Sequence, residues 1–239
     1  MGIITLTLCV ATRYEHAQQP SVTVMKLIED EHQANQSSVS VVFRGDREPE
    51  TDQTILKRLS WFDEMVGLEH DTYTLGGTVE RLERVFADML GKEAAVFMPT
   101  GTLANHLAVR KHCGVRSAAV VQEQSHLYND TGNTVQRLSG INLIPLAPGQ
   151  VCFSVEELEE VVERVEGARV ATPLGAVIVE SPVRRQAGQI VSYDQMCKIT
   201  EFCRDRGLPT HYDGARLYMM SAATGIKPTE YTALFDSVY

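Results

Sequence analysis

Apolar side chains recur along this chain at two spacings, one typical of helices and one typical of buried strands. Residues 52–66 and 79–90 carry apolar residues every three or four positions, which predicts two amphipathic helices. Short apolar runs predict strands at residues 39–43, 94–98, 118–121, 141–146 and 176–179. Helix-like and strand-like segments therefore alternate from about residue 39 onward.

The predicted helix ends carry residues that favour those positions. Thr78 is placed to cap the helix over 79–90, and Gly91 suits its C-terminal end. Ser154 and Ser192 each begin a capping box, because Glu157 and Gln195 follow three residues later. Another helix is predicted from about residue 103 to 113.

This order of elements indicates the fold class. Strands that alternate with helices, with few hairpin turns, are typical of a mostly parallel sheet with helices on both faces. The sequence predicts an α/β fold of three layers. We expect residues 1–40 to form an extension of uncertain structure and residues 41–239 to form part of one large domain.

Composition and charge exclude several classes of partner. The net charge of −9 argues against general binding to nucleic acid or to acidic membranes. Five scattered cysteines form no CxxC pair, which argues against a zinc site, and no other metal site is predicted. Reduced thiols are typical of a cytoplasmic protein, so we expect that location.

Polar residues with chemical potential follow the predicted strands. Thr100, Gly101 and Thr102 lie where a strand gives way to a helix, and free backbone N–H groups at such a turn can bind phosphate. A helix cap explains the same residues equally well. His126 follows another strand end, where it could stack on a flat aromatic group, transfer protons or serve only in the structure.

A carboxylate and an arginine complete this set at the next strand end. Asp213 ends a β-like run and Gly214 follows it. Arg216 lies three residues after Asp213. Ligands bind at the carboxyl ends of strands in open α/β sheets. There, a carboxylate can pair with a protonated ring nitrogen, and an arginine can bind a substrate carboxylate. An ordinary surface Asp–Arg pair is the alternative. Together, the four sites suit a phosphorylated pyridine cofactor.

The order and spacing of several motifs resemble one enzyme family. Residues from about 43 to 239 are similar to the threonine aldolase and aromatic amino acid β-eliminating lyase family of pyridoxal-phosphate enzymes. The matching segments are Phe43-Arg44-Gly45-Asp46, residues 73–83, Gly91-Lys92-Glu93-Ala94-Ala95, Pro99-Thr100-Gly101-Thr102-Leu103-Ala104-Asn105, Ser125-His126 and Asp213-Gly214-Ala215-Arg216-Leu217.

The resemblance implies a fold and a set of roles. The fold would be the large domain of aspartate-aminotransferase-like enzymes, incomplete here. Gly101 and Thr102 would bind the phosphate of pyridoxal 5'-phosphate, His126 would stack on its ring, and Asp213 would pair with the ring nitrogen. Arg216 would contact the cofactor or the substrate carboxylate. Asp46 would lie near the substrate.

The chain departs from the family pattern in two places. Val183 stands where many members carry a histidine near the substrate hydroxyl, so the resemblance leaves the substrate open. The Schiff-base lysine of the family follows a segment similar to Asp236-Ser237-Val238, and the chain given ends at Tyr239. None of its six lysines matches that position. We therefore expect the chain as given not to turn over substrate.

For the complete protein, the resemblance implies an enzyme of amino acid metabolism. The implied reaction is aldol cleavage of a β-hydroxy-α-amino acid to glycine and an aldehyde. Two alternatives stay open: β-elimination on a related amino acid, and a catalytically inactive chain, either a truncated product or a non-catalytic partner. The resemblance also implies a homo-oligomer, a dimer or a tetramer.

Overall fold

The described strands form one seven-stranded sheet. The computed structural model describes residues 7–11, 51–73 and 75–239, and for residues 7–11 it describes the backbone. The strands are β1 (Thr7–Ala11), β2 (Ala94–Met98), β3 (Ala118–Gln122), β4 (Asn142–Leu146), β5 (Leu174–Glu180), β6 (Thr210–Asp213) and β7 (Ser237–Val238). Their spatial order is β2-β1-β7-β6-β5-β3-β4. β1 pairs antiparallel with both neighbours, and the remaining pairs are parallel.

Helices connect these strands. They are α1 (Asp52–Val66), α2 (Gly77–Leu90), α3 (Gly101–Cys113), α4 (His126–Asn129), α5 (Thr134–Ser139), α6 (Val155–Glu166), α7 (Tyr193–Asp205), α8 (Leu217–Thr224) and α9 (Pro228–Thr232), with a 3-10 turn at Arg184–Gln186. The predicted three-layer α/β fold with a mostly parallel sheet is confirmed.

Alternate side chains of strand β5 enter two separate cores. Val177 and Val179 of β5 pack with residues of α6 and α7 in one cluster. Ala176 and Ile178 pack with residues of α3 in the other. Because successive side chains of a strand point to opposite faces, α3 and α7 lie on opposite sides of the sheet. The strand that ends at Glu180 is thus buried on both faces.

Several predicted boundaries and caps need correction. Helix α2 begins at Gly77 with Gly76 as its cap, so the prediction of Thr78 as the cap is wrong. The Thr78 hydroxyl accepts a hydrogen bond from the Glu69 backbone instead. Ser192 caps α7 as predicted, but the Gln195 amide donates to the Phe153 carbonyl and does not complete a capping box.

Two regions of the sheet differ from the expected pattern. Strand β2 was predicted to be buried, but Val96 is 49% exposed because β2 lies at the sheet edge. Residues 7–11, which fall within the expected extension, pair with β2 and β7. The predicted strand at 39–43 lies outside the described residues.

Candidate active site

Two carboxylates stand side by side at the carboxyl edge of the sheet. Glu180 ends β5 and Asp213 ends β6, and the two residues are register partners in the parallel pair. Both are almost fully buried, with exposed fractions of 2% and 3%. Buried carboxylates are rare unless they are paired or functional, so this edge is the strongest candidate site in the described part of the chain.

Asp213 is held by donors from two elements. Its Oδ2 accepts a hydrogen bond of 2.7 Å from the Asn105 amide of α3, and its Oδ1 accepts one of 3.3 Å from the Ala215 backbone. Burial raises the pKa of Asp213 to about 6, although these donors and the Arg216 charge oppose that rise. Both the charged and the neutral form of the carboxyl are therefore accessible near neutral pH, and the charged form can pair with a cation.

Glu180 links the strand edge to His126. Its Oε2 accepts from the His126 backbone N–H at 2.5 Å, and its Oε1 accepts from the Arg184 backbone N–H at 3.0 Å. The Gln122 side chain exchanges two hydrogen bonds with the Glu180 backbone, which aligns β3 with β5. Burial and the neighbouring Asp213 charge raise the pKa of Glu180. The half-buried His126 is thereby fixed near the carboxylate pair.

The start of α3 lies close to Asp213. Asn105 lies four positions after Gly101, which is about one helical turn or 6 Å of rise. Thr100 caps the helix, since its hydroxyl accepts from the Leu103 backbone at 3.2 Å, so the cap interpretation holds. None of the described hydrogen bonds uses the N–H groups of Gly101 and Thr102. Those two groups can therefore bind an anion.

The two glycines of the site are required for space. A Cβ at Gly101 would overlap with the Tyr239 ring. A Cβ at Gly214 would lie 2.9 Å from both the Tyr212 ring and the Tyr239 carbonyl oxygen. The φ angle of Gly214 is outside the left-handed region, so close packing explains this glycine and an unusual turn does not.

The remaining predicted residues differ in position. Arg216 is half-buried as the cap of α8, and its charge acts on Asp213. Asp46 lies outside the described residues. Val183 is fully buried in the α7-side core. Arg184 and Arg185 are exposed and both pair with Asp130, at 2.6 and 3.1 Å.

Sequence reasoning missed the polar groups that support Asp213. Asn105 was seen only as part of a motif, and His211 only as part of a strand. A strand places residues i and i+2 on one face, so His211 had to share a face with Asp213. A helix places residues i and i+4 on one face, so Asn105 had to lie on the same face as Gly101, one turn later. Those two spacings indicate the face on which each side chain lies, but not that the two side chains meet.

The site fits a phosphorylated pyridine. Pyridoxal phosphate needs donors for its phosphate and a carboxylate for its ring nitrogen, and the two lie about one helical turn apart here. The Asp213 carboxylate is buried and carries a raised pKa, and among the described hydrogen bonds its Oδ1 accepts one, of 3.3 Å, from the Ala215 backbone.

Comparison with known proteins shows the family of the chain. The sequence model of the family described as "Beta-eliminating lyase" matches residues 60–239. The chain belongs to the beta-eliminating lyase family. Among relatives in this family, the chain is 29% identical to the low-specificity L-threonine aldolase 1 of Arabidopsis thaliana over 180 residues, 73% of this chain and 50% of that protein. It is 32% identical to the aldolase vrtJ of Penicillium aethiopicum over 72% of this chain and 44% of that protein.

Solved structures share the fold of this lyase-family chain. A provisionally assigned L-allo-threonine aldolase from Listeria monocytogenes EGD-E matches with a TM-score of 0.70 and 28% identity, over 81% of this chain and 52% of that chain. A Leishmania major threonine aldolase matches in fold, with a TM-score of 0.64 and 17% identity over 80% of this chain and 55% of that chain. The chain spans about half the length of the relatives it matches.

Proposed function

We propose that the complete protein is a pyridoxal-phosphate-dependent lyase that cleaves a β-hydroxy-α-amino acid to glycine and an aldehyde. The observation that carries the proposal is the buried Asp213, held by Asn105 one helical turn from an anion-binding helix start. The threonine aldolase names of several relatives support the same reaction. Bound pyridoxal phosphate supplies an electron sink for the electrons of the broken Cα–Cβ bond.

Each residue of the chain has a defined task in this proposal. The backbone N–H groups of Gly101 and Thr102, with the Thr100 hydroxyl beside them, bind the phosphate at the start of α3. Asp213 in its charged form holds a proton on the ring nitrogen.

On the substrate side, His126 lies against the cofactor ring and moves a proton at the β-hydroxyl. Arg216 binds the substrate carboxylate through its guanidinium group. Asp46 is proposed to contact the substrate, as the family resemblance implies.

The test is an aldol-cleavage assay on the protein encoded by the full open reading frame. L-threonine, L-allo-threonine and phenylserine are supplied with and without added pyridoxal phosphate, and glycine and aldehyde are both quantified. We expect equal amounts of the two products, dependent on the cofactor. Absence of cleavage for every β-hydroxy-α-amino acid, in a protein that binds the cofactor, would contradict the proposal.

A second substrate set separates aldol cleavage from β-elimination. Amino acids with a leaving group on Cβ, such as cysteine conjugates, would release pyruvate and ammonia in an elimination. If pyruvate forms faster than glycine, the family chemistry is retained but our choice of reaction is wrong. If neither product forms and the cofactor does not bind, the alternative of a catalytically inactive chain is favoured.

We also propose that the protein is a homo-oligomer. Helix α1 has an apolar stripe, yet none of its fifteen described residues is buried, and Leu56 and Met65 are 63% and 60% exposed. Tyr73 and Leu75 on the following turn are more exposed still. Several large apolar side chains exposed on one helix and the turn after it are typical of a protein–protein interface. Light scattering should give at least a dimer, and a fully active monomer would contradict this.

Among the described helices, none is long and apolar enough to span a membrane. The four cysteines that the structure describes are free thiols. A cytoplasmic location remains our proposal on the basis of cysteine usage.

A further inference from the structure

A continuous row of buried polar side chains runs from Asp213 across the α3 side of the sheet. The Asn105 amide donates to Asp213 Oδ2 at 2.7 Å, and Asn105 Oδ1 lies 2.8 Å from His211 Nε2. His211 Nδ1 lies 2.7 Å from the Ser237 hydroxyl, which is also 2.6 Å from His112 Nε2. Four hydrogen bonds thus join five side chains from three elements.

The chemistry of the donors fixes the direction of this row. Asn105 gives its N–H to Asp213, so its oxygen faces His211 and can only accept. His211 must therefore carry its proton on Nε2, which leaves Nδ1 as an acceptor for the Ser237 hydroxyl. With its hydrogen committed to His211, the Ser237 oxygen accepts from the Nε2–H of His112. Every donor in the row points toward Asp213.

The row is buried along most of its length. Asn105 and His211 have no exposed surface, and Ser237 is 4% exposed. Burial lowers the pKa of His211 to about 3, with a smaller effect from His112, so His211 is neutral throughout the physiological range. A neutral imidazole with one donor and one acceptor fits a directed row. Hydrogen bonds aligned in one direction polarise one another in a low-dielectric interior.

The outer end of the row reaches solvent at the amino edge of the sheet, opposite the carboxyl edge where the site lies. His112 is half-buried and lines an open cleft of about 580 Å³ beside Thr210 and Asp236, at the amino end of β6. The row therefore runs along the full length of β6, from its amino end to its carboxyl end at Asp213.

We infer that Asn105, His211, Ser237 and His112 are positioning residues whose directed hydrogen bonds orient the Asp213 carboxylate and favour its charged form. This role deepens the proposed function, because it rests on Asp213 as the partner of the ring nitrogen. The alternative is a row that only satisfies buried polar groups. The two differ in one respect: a directed row changes the titration of Asp213 when a distant member is removed.

The chain supplies a matched control on the same helix. His106 Nε2 lies 2.7 Å from the Ser139 hydroxyl, a histidine–serine pair with no link to Asp213 among the described hydrogen bonds. Ser139→Ala and Ser237→Ala each remove one hydroxyl that contacts a histidine of α3. Only the second substitution interrupts the row.

The first measurement is made on the 239-residue chain without cofactor. Nitrogen-15 NMR of the histidine side chains reports which ring nitrogen carries the proton. We expect His211 to be neutral with its proton on Nε2 across neutral and mildly acidic pH. A proton on Nδ1 alone would overturn the inference, because Nε2 could then not donate to Asn105 Oδ1. A charged His211 ring would overturn it too, because Nδ1 could then not accept from the Ser237 hydroxyl.

The second measurement follows the Asp213 side-chain carboxyl by carbon-13 NMR as pH is varied. Asn105→Leu should raise the pKa of Asp213 by about 1, since it removes a direct donor. Ser237→Ala should raise it by a smaller but measurable amount, and Ser139→Ala should leave it unchanged. His211→Gln retains a side-chain N–H for Asn105. The pKa of Asp213 in this variant should therefore be closer to its native value than in His211→Leu.

Equal titration of Asp213 in the native chain, Ser237→Ala and Ser139→Ala would overturn the inference, even if Asn105→Leu does not fold. Because both measurements use the chain without cofactor, they fail independently of the proposed function. Loss of cofactor binding with the titration effects intact would contradict the function alone. Normal cofactor binding with no titration effect would contradict the row alone.

Discussion

Helices α3 and α7 have the same length of thirteen residues and cover opposite faces of one sheet, yet they bury different chemistry. Helix α7 buries Met196, Ile199, Phe202 and Cys203 in the larger apolar core. Helix α3 buries two polar residues, Asn105 and His106, among small apolar ones. One face of the sheet is therefore built for packing, and the other combines packing with polar contacts.

The buried polar groups of the two helices are satisfied in different ways. On α7, the Thr200 hydroxyl donates to the Met196 carbonyl one turn earlier, so its hydrogen bond stays within the helix. On α3, the Asn105 amide reaches Asp213 on another element, 108 positions along the chain. A hydrogen bond within a helix is local, whereas one between elements depends on the whole fold. This difference separates a stabilising helix from one that also positions a reactive group.

The largest expected effect is that of a substitution at Asp213, the residue that α3 contacts through Asn105. Asp213→Ala in the full-length protein should lower aldol cleavage by orders of magnitude, because the ring nitrogen loses its carboxylate. Circular dichroism should be nearly unchanged, since a buried charge that costs desolvation energy is removed. The matched control is Asp194→Ala, an exposed carboxylate on α7 that pairs with Lys198. Native turnover in Asp213→Ala would refute the assignment.

The opposite pattern is expected on α7. Ile199→Ala leaves a cavity in the larger core and should lower the free energy of unfolding by about 2–5 kcal/mol. Cofactor affinity, measured by absorbance titration below the unfolding transition, should stay unchanged. If Ile199→Ala weakened the cofactor as strongly as Asp213→Ala, the functional contrast between the two sides would be wrong.

A smaller effect should appear in the pH dependence of stability. Burial raises the pKa of Asp213 from 3.8 to about 6, so the folded state binds a proton that the unfolded state has lost in this window. Asp213 thus contributes stability below pH 3.8 that is lost as pH rises through 6. Asp213→Asn should remove this loss and stabilise the cofactor-free chain by about 1–3 kcal/mol at neutral pH.

Chemical denaturation at acidic and neutral pH measures that difference. The gain from Asp213→Asn should be small near pH 3.8 and reach its full value above pH 6. A gain that is equal at both pH values would show that removal of the charge is not its cause.

The smallest effect is expected at Thr200. The Met196 carbonyl that its hydroxyl contacts also belongs to the backbone hydrogen-bonding of α7. Thr200→Val should therefore change the free energy of unfolding by no more than about 1 kcal/mol and leave cleavage unaffected. A loss comparable to that of Ile199→Ala would mean that α7 also depends on polar contacts.

The contrast also explains how much the sequence could predict. The apolar spacing predicted α1, α2, β3 and β5 and the three-layer fold, because packing requires that periodicity. The strand-end positions of Asp213 and His126 followed from their place after apolar runs. The Asn105–His211 contact joins residues 106 positions apart, and spacing along one element indicates its face but does not name its partner.

Other misses have equally local causes. Gly214 was predicted only as part of a motif, but its need comes from the Tyr212 ring and the Tyr239 carbonyl packed against it. Helix α1 was predicted correctly, yet its periodicity could not tell whether another surface covers its apolar stripe. The exposure of β2 depends on strand order, which the local pattern does not contain.

The central claim is that Asp213 holds a protonated pyridine nitrogen at the carboxyl edge of the sheet. The most direct measurement is nitrogen-15 NMR of ring-labelled pyridoxal phosphate bound to the full-length protein and to its Asp213→Asn variant. We predict a protonated ring nitrogen at neutral pH in the native protein and an unprotonated one in the variant. An unprotonated nitrogen in the native protein, or the same protonation in both, would contradict the account.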